Sequence, residues 1–348
     1  MQSRIERKQP NPRRRAGASL AMPVIAAMAV ACLSAVAGVA SAAPVTLKFS
    51  HTDTAIGARQ KAAELFAKKV EENTEGRYKV QIFHSGQLAN DTKSLEQLQL
   101  GGLEFAVTGA SVYAPQLKEL NLLSLPYLVD SYEQGWKLFD DAAWTKTYFD
   151  KLAATRNIRI LATWEAGFRS FSTKRPFKTP EDIKGTKLRA FKNDMFLQLL
   201  GAMGWNTVVM PVTEAYLAIQ QGVVEGQENP IDTIWSQKFY EVAPILTLTE
   251  HVYSPIPMAV SERAWKKFSP ADQAAVRKAA VEAAAFSRQE VKSNDERLLA
   301  EMTAKGATVN RVDKAPFRKV MEPVYEAARK EYGAEAVDRL LKEAASLK

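Results

Sequence analysis

From Val45 onward the chain switches repeatedly between two side-chain periods, and this switching restricts the fold more than any other feature. Val45–Ser50 reads as a strand, and residues 56–72 place Ala63, Phe66, Ala67 and Val70 on one helical face. Tyr78, Val80 and Ile82 alternate with polar residues as a second strand. Asp91–Leu100 is helical and is stopped by Gly101 and Gly102; residues 103–108 form a short apolar strand. Strand, helix, strand, helix, strand is the grammar of a parallel α/β sheet. Helices follow at 132–140 and 144–154, and 158–164 is another apolar strand. Further on come strands at 168–173 and 188–191, a helix at 195–203 and a strand at 208–210. A helix at 213–221 is capped by Thr213 and stopped by Gly222. Residues 231–240 read as a helix, and 246–253 and 255–260 as two extended segments. Ser269, Pro270 and Asp272 start a helix whose periodicity runs to Lys305. It is either one helix bridging two lobes or two helices broken near Ser293 and Asn294. Helices at 316–332 and 334–346, separated by Gly333, close the chain.

The first 42 residues belong to a different part of the molecule's history. A basic segment (Arg4, Arg7, Lys8, Arg13, Arg14, Arg15) precedes an apolar run at 20–39, which ends in Ala40-Ser41-Ala42. That order is a secretory signal with a small-residue cleavage site, and the alanine-rich run argues against a retained anchor. The arginine triplet only weakly matches a twin-arginine signal, because the hydrophobic residues expected just after the pair are missing. Cys32 is the sole cysteine and its surroundings match a lipoprotein site poorly, so the exported chain carries no disulfide. Six bases and one acid in this segment account for five of the eight net charges, leaving +3 on the remaining 306 residues. No basic stripe with interleaved aromatics appears, which argues against nucleic acid as a partner. Beyond Ala42 no apolar run reaches membrane-spanning length, and the exported chain is large enough for two lobes.

Arg169 and Arg189 each sit inside an apolar or small-residue strand. A charge there is costly unless it meets an anion, and the guanidinium fork grips a carboxylate through two parallel bonds. Either they hold an acidic ligand, or they pair with acids at a strand edge. An enzyme is the competing class. His51, His84 and His251 show no metal-ligand spacing, and no glycine-rich phosphate loop or Gly-x-Ser-x-Gly element is present. Glu225 and Glu228 flank Gly226-Gln227 and read as turn acids that bind backbone amides or cap an arginine, rather than as a catalytic pair. His251, beside Glu250, is the remaining candidate base, and it reads as a hydrogen-bonded structural residue. No cofactor is implied.

Together, Phe168-Arg169, residues 185–189, Glu214-Ala-Tyr-Leu-Ala-Ile, residues 222–230 and Gln237-Lys-Phe-Tyr-Glu-Val resemble the solute-binding proteins of tripartite ATP-independent periplasmic (TRAP) transporters. The resemblance covers nearly all of the exported chain. It implies an α/β, two-lobed periplasmic-binding-protein fold with crossover strands and a long helix spanning both lobes. The lobes it implies are 43–166 with 255–294, and 167–254 with 295–348. It further implies periplasmic capture of a small organic acid by a monomer that delivers it to TRAP permease membrane subunits. A sensor input protein that presents the same ligand is the other binding class. Position by position, Arg189 resembles the carboxylate-clamping arginine, Arg169 the second ligand-facing arginine, and Asn229 the asparagine completing the polar triad. Thr52 and Asp91 match cleft positions in the first lobe. Trp164, Phe191, Trp235 and Tyr253 are candidate pocket walls, and His251 is a further candidate near the site. Gly109 and Val212 stand where sialic-acid binders carry glutamate and phenylalanine, which puts sialic acid itself in doubt.

Overall fold

The alternation of strand and helix resolves into one mixed sheet. The computed structural model describes residues 43–348, so the expected leader, its cleavage after Ala42 and Cys32 lie outside the described residues. In chain order the elements are β1 (Val45–Ser50), α1 (Ala58–Asn73), β2 (Tyr78–Phe83), α2 (Asp91–Leu100), β3 (Phe105–Val107), α3 (Tyr132–Asp140), α4 (Ala143–Arg156) and β4 (Ile158–Thr173). They continue with β5 (Lys187–Ala190), α5 (Asp194–Ala202), β6 (Asn206–Val209), α6 (Val212–Gln220), β7 (Gly226–Pro230), α7 (Ile231–Ser236) and α8 (Phe239–Val242). Last come β8 (Ile245–Ser261), α9 (Glu262–Trp265), α10 (Pro270–Ala304), β9 (Thr308–Arg311), α11 (Ala315–Lys319), α12 (Glu322–Tyr332) and α13 (Ala334–Ser346).

The strands lie in the order β2-β1-β3-β8-β4-β7-β5-β6, with β9 beside β8. At one end β1 pairs in parallel with β2 and β3; at the other β5 pairs in parallel with β6 and β7. Between these parallel groups runs the long antiparallel pair β4 and β8, from Ile158↔Ser261 to Thr173↔Ile245. Its ladder is irregular at three places, one of them between Glu165 and Phe168. The crossover strands are therefore single elements of 16 and 17 residues where the sequence suggested four shorter ones. Pro255 and Pro257 do not interrupt β8. They fall between its pairing with β9 and with β3, where β4 is its strand neighbour, so a missing N–H there breaks no second ladder.

Helix α10 settles the other open choice: its 35 residues are continuous. Ser269 caps it by accepting from Asp272 N at 3.1 Å. At the suspected break, Ser293 Oγ donates to Gln289 O at 2.7 Å and Asn294 Oδ1 accepts from Arg297 Nε at 2.9 Å. Both side chains are satisfied on the helix itself, and neither residue forces a kink as proline would. Two cores meet the helix. Val276, Ala279, Ala280 and Ala283 pack with Phe49, Phe66, Phe105 and Trp164, whereas Leu298, Leu299 and Met302 pack with Ile219, Ile234, Phe239 and Leu246.

Several boundaries differ from the sequence reading. Helix α6 is capped at Pro211 rather than Thr213. The helix expected over 231–240 is broken at Lys238, whose φ of 58° ends one turn and begins another. Residues 316–332 split into α11 and α12. Strands β7 and β9 were not expected; β7 reads GQENP, too polar and too short to carry a strand signature.

Candidate ligand-binding cleft

Arg189 stands in β5, a strand buried at Leu188, Arg189 and Ala190 because β6 and β7 flank it. The residue is 2% exposed, and Nε donates to Met210 O at 3.0 Å. The two terminal nitrogens have no hydrogen-bond partner among the described residues. Burial lowers the pKa to about 10, against an opposing pull from Glu228, so the group stays charged at neutral pH. A buried cation with both terminal nitrogens of its fork unused is an arrangement that an incoming anion would relieve.

Arg169 is in the opposite condition. Antiparallel pairing sets Arg169 opposite Pro230 and Ser170 opposite Asn229, which brings the end of β7 beside it. Its Nε pairs with Glu228 Oε2. Nη2 donates to Glu228 Oε1 at 2.8 Å, to Glu228 O at 2.7 Å and to Asn229 Oδ1 at 3.0 Å. Nη1 reaches Ser254 Oγ at 3.3 Å, and the guanidinium lies over the rings of Phe191 and Phe196. Burial pushes the Glu228 carboxyl up, but Arg169 and the approach of His251 outweigh it and hold it below its ordinary value. Glu228 does cap an arginine, from a strand rather than a turn, and the charge of Arg169 is spoken for.

Both arginines border a cavity of about 320 Å³, the lower end of the range for small-molecule sites. Asn229, Phe191 and Val212 line it as well. So do Thr52 and Asp91, whose side chains are already joined: Thr52 Oγ1 donates to both carboxylate oxygens of Asp91 at 3.0 and 3.1 Å. Gly109 also lines the cavity, and a side chain longer than its hydrogen would occupy that space.

Four candidates are placed elsewhere. Trp164 is fully buried in the first core, stacked on Phe49 with centroids 5.8 Å apart, and its indole N–H donates to Ala280 O at 3.3 Å. Trp235 packs against the core formed by α6, α7 and the C-terminal half of α10. Tyr253 donates to Glu165 Oε2 at 2.6 Å beneath α3. His251 is fully buried behind Glu228: Nε2 lies 3.4 Å from Glu228 Oε2, Nδ1 meets Thr249 Oγ1 at 2.8 Å, and the ring stacks on Phe171. Burial lowers its pKa, so it is a neutral support for Glu228. Aromatic size and a neighbouring acid do not distinguish a wall from a core. Conversely, Asn90, Ser111 and Ser254 line the cavity without any sequence signal that marked them, and Gln237, which opens one of the family-like stretches, lines it without having been read as a site residue. Asn90 alone had a local role to read, since it caps α2 by accepting from Lys93 N at 3.0 Å.

A two-lobed α/β molecule with a buried, half-satisfied arginine facing an interior cleft is the design of an extracellular binding protein, and the comparisons name the class. Residues 49–331 match the family model described as bacterial extracellular solute-binding protein, family 7, and the chain belongs to that family, the periplasmic solute-binding proteins of TRAP transporters. A solute-binding protein of Verminephrobacter eiseniae is 35% identical over 306 residues, which cover 86% of this chain and 90% of that one. The sugar acid binding protein of Advenella mimigardefordensis, solved with galactonate, superposes with a TM-score of 0.84 at 29% identity, covering 88% of this chain and 99% of that one. A TRAP periplasmic solute-binding protein of Polaromonas, solved with D-erythronate, gives a TM-score of 0.81 at 32% identity over 85% of this chain and 98% of that one. Members of the family are substrate-binding transport proteins rather than enzymes.

Proposed function

We propose that the cleft captures a small monocarboxylate bearing several hydroxyl groups, with Arg189 clamping the carboxylate. The observation that carries this reading is the contrast between the two arginines. Arg189 has both terminal nitrogens free, whereas Glu228 already neutralises Arg169. A dianion would bring a second negative charge to a site whose second buried cation, Arg169, is taken and whose third arginine, Arg59, already faces Asp53 at 3.9 Å. Thr52, Asn90, Ser111, Asn229, Gln237 and Ser254 line the same cavity and suit hydroxyl groups. Galactonate and D-erythronate, held by the two similar structures, are polyhydroxy monoacids of this kind.

The lobes are 43–166 with 255–294 and 167–254 with 295–348; the division of α10 between two cores supports that assignment. The mature chain begins at Ala43, acts as a monomer and hands an unchanged acid to TRAP permease subunits. Calorimetry of the exported protein with galactonate, D-erythronate and succinate tests the reading. Galactonate or erythronate should bind at least tenfold more tightly than succinate, with no turnover of the bound acid. Tighter binding of succinate would overturn the monoacid assignment, and steady conversion of any of these acids would overturn the transport reading.

A further inference from the structure

Two acids to which the proposed ligand contacts assign no role, Asp53 at the border of the cavity and Asp232 behind it, face each other where the lobes touch. Asp53 follows β1, and Asp232 is the second residue of α7; both are buried. Ala58 N donates to both carboxylate oxygens of Asp232 at 3.2 Å, and Ser236 Oγ donates to Asp53 Oδ1 at 3.1 Å. Thr54 Oγ1 donates to Ser236 O at 3.3 Å and Gln237 Nε2 to Thr52 O at 3.2 Å. Residues 52–58 of one lobe are thus stitched to α7 and its C-cap in the other. Gly57 stands between the acids. A methyl group placed on it would lie 2.8 Å from Asp53 Oδ2 and 3.3 Å from Asp232 Oδ2, so both oxygens border one small space.

One cation reaches that space: Arg59 Nε is 3.9 Å from Asp53 Oδ2, beyond hydrogen-bonding distance but close enough to pull both carboxyls down, against the larger effect of burial. Asp91 on α2 and Asp295 on α10 add negative potential. His51, held neutral by burial with a pKa near 3, adds none.

We propose that Asp53 and Asp232 form a clasp across the cleft that closes around one shared proton, so that capturing a ligand takes a proton up from solution. The inference rests on the lobe division and on closure around an acid. Two carboxylates in one buried space cannot both ionise without severe repulsion. Burial raises both, and the charge of Asp53 adds to the burial of Asp232, whose pKa rises to about 7. Opening the cleft hydrates both groups and returns them to ordinary values of about 3.9. The sign follows: the closed form holds more protons, so the clasp favours closure below about pH 7 and loses that contribution as pH rises through this value. The carboxylate of a sugar acid and the Arg189 guanidinium keep their charges across the same range.

The test is calorimetry of the exported protein with galactonate, D-erythronate and D-glucuronate from pH 5.5 to 8.5, in buffers of different ionisation enthalpy. We expect uptake of up to one proton per ligand near pH 6 and an affinity that falls by up to tenfold per unit between pH 5.5 and about pH 7, then levels off above it. Asp232→Asn and Asp53→Asn should bind with no such uptake and a flat pH profile, while Asp295→Asn keeps both. Binding without proton uptake in the parent, or uptake undiminished in both Asn variants, would overturn the clasp while leaving the acid-binding reading intact. Should none of the three acids bind, that reading fails on its own. The clasp is then decided by spin labels on the exposed Lys79 and Lys187 of the ligand-free protein. A closed fraction that grows from pH 8.5 to 5.5 in the parent, and not in Asp232→Asn, supports it. A closed fraction insensitive to pH overturns it.

Discussion

Arg189 and Arg169 share a chemistry and differ in surroundings, and the difference predicts how each will respond to substitution. Arg189→Lys keeps the charge but loses the parallel pair of bonds and the planar fit. Arg189→Ala leaves the ligand carboxylate buried and unpaired, a loss of about 3–5 kcal/mol, or at least about a hundredfold in affinity. Calorimetry with galactonate checks both, and near-parental binding by Arg189→Lys would remove the clamp from this residue. Glu228→Gln should act in another way. It frees the charge of Arg169, so succinate should gain affinity relative to galactonate, and the melting temperature should fall because a buried ion pair has lost one partner. Both arginines were legible in the sequence because a cation inside an apolar strand demands an explanation. Their division of labour was not legible: it depends on β7 lying beside β4, and GQENP gives no periodic hint of a strand. His251 and Trp164 were misplaced for a related reason. A large or titratable side chain looks the same in sequence whether it faces a cleft or the layer behind it.

Among the elements, β7 is the one that delivers Glu228 and Asn229, and its position rests on Gly226. A methyl group there would lie 2.3 Å from Ser172 O in β4, a contact that backbone atoms cannot relieve without moving apart. Gly226→Ala should therefore displace β7, lower stability by about 1–3 kcal/mol and weaken ligand binding together. Thermal melts and calorimetry on one preparation test this, and unchanged values for both would show that the strand tolerates the shift. The βαβ opening and the last helix, α13, were readable because each element carries its own period and its own stop, as with Gly101, whose φ of 80° ends α2. The crossover strands were read as fragments. Glu165 and Gly167 interrupt the apolar pattern in the sequence of β4, and two prolines interrupt the pattern in that of β8. Long-range pairing carries both strands through these residues, and such pairing leaves no local trace.

For the molecule as a whole, buried acids set the dependence of stability on pH. Glu165 accepts from Trp136 Nε1 at 2.8 Å, Tyr253 OH at 2.6 Å, Ala166 N at 3.0 Å and Gly167 N at 2.8 Å. Burial outweighs these donors and pushes its pKa up to about 7. Asp295, which accepts from Tyr132 OH at 2.6 Å, is raised to about 6 by burial. Between their ordinary values and these raised ones the folded chain holds more protons than the unfolded one, so stability declines as pH rises through that interval. The ligand-free protein should melt at lower temperature at pH 8 than at pH 6, and Glu165→Gln should shallow that slope. A melting temperature that rises over the same range would contradict the assignment.

Three unbroken elements, β4, β8 and α10, pass between the proposed lobes. Two bodies joined by a single loop can swing in many directions, like a gate on a rope. Two bodies joined by parallel beams behave as a flexure: the beams resist twist and slide, and leave bending about one line as the easy motion. That line falls where the β4–β8 ladder slips, at Glu165 to Phe168, with Gly167 held at φ +106°. With the proposed lobes joined in this way, the jaws of the cleft should meet in the same register at every closure. On the proposed lobe division and clamp, contacts that need fine alignment, such as the fork of Arg189 on a carboxylate and the facing acids at Gly57, should be reproduced each time a ligand is caught.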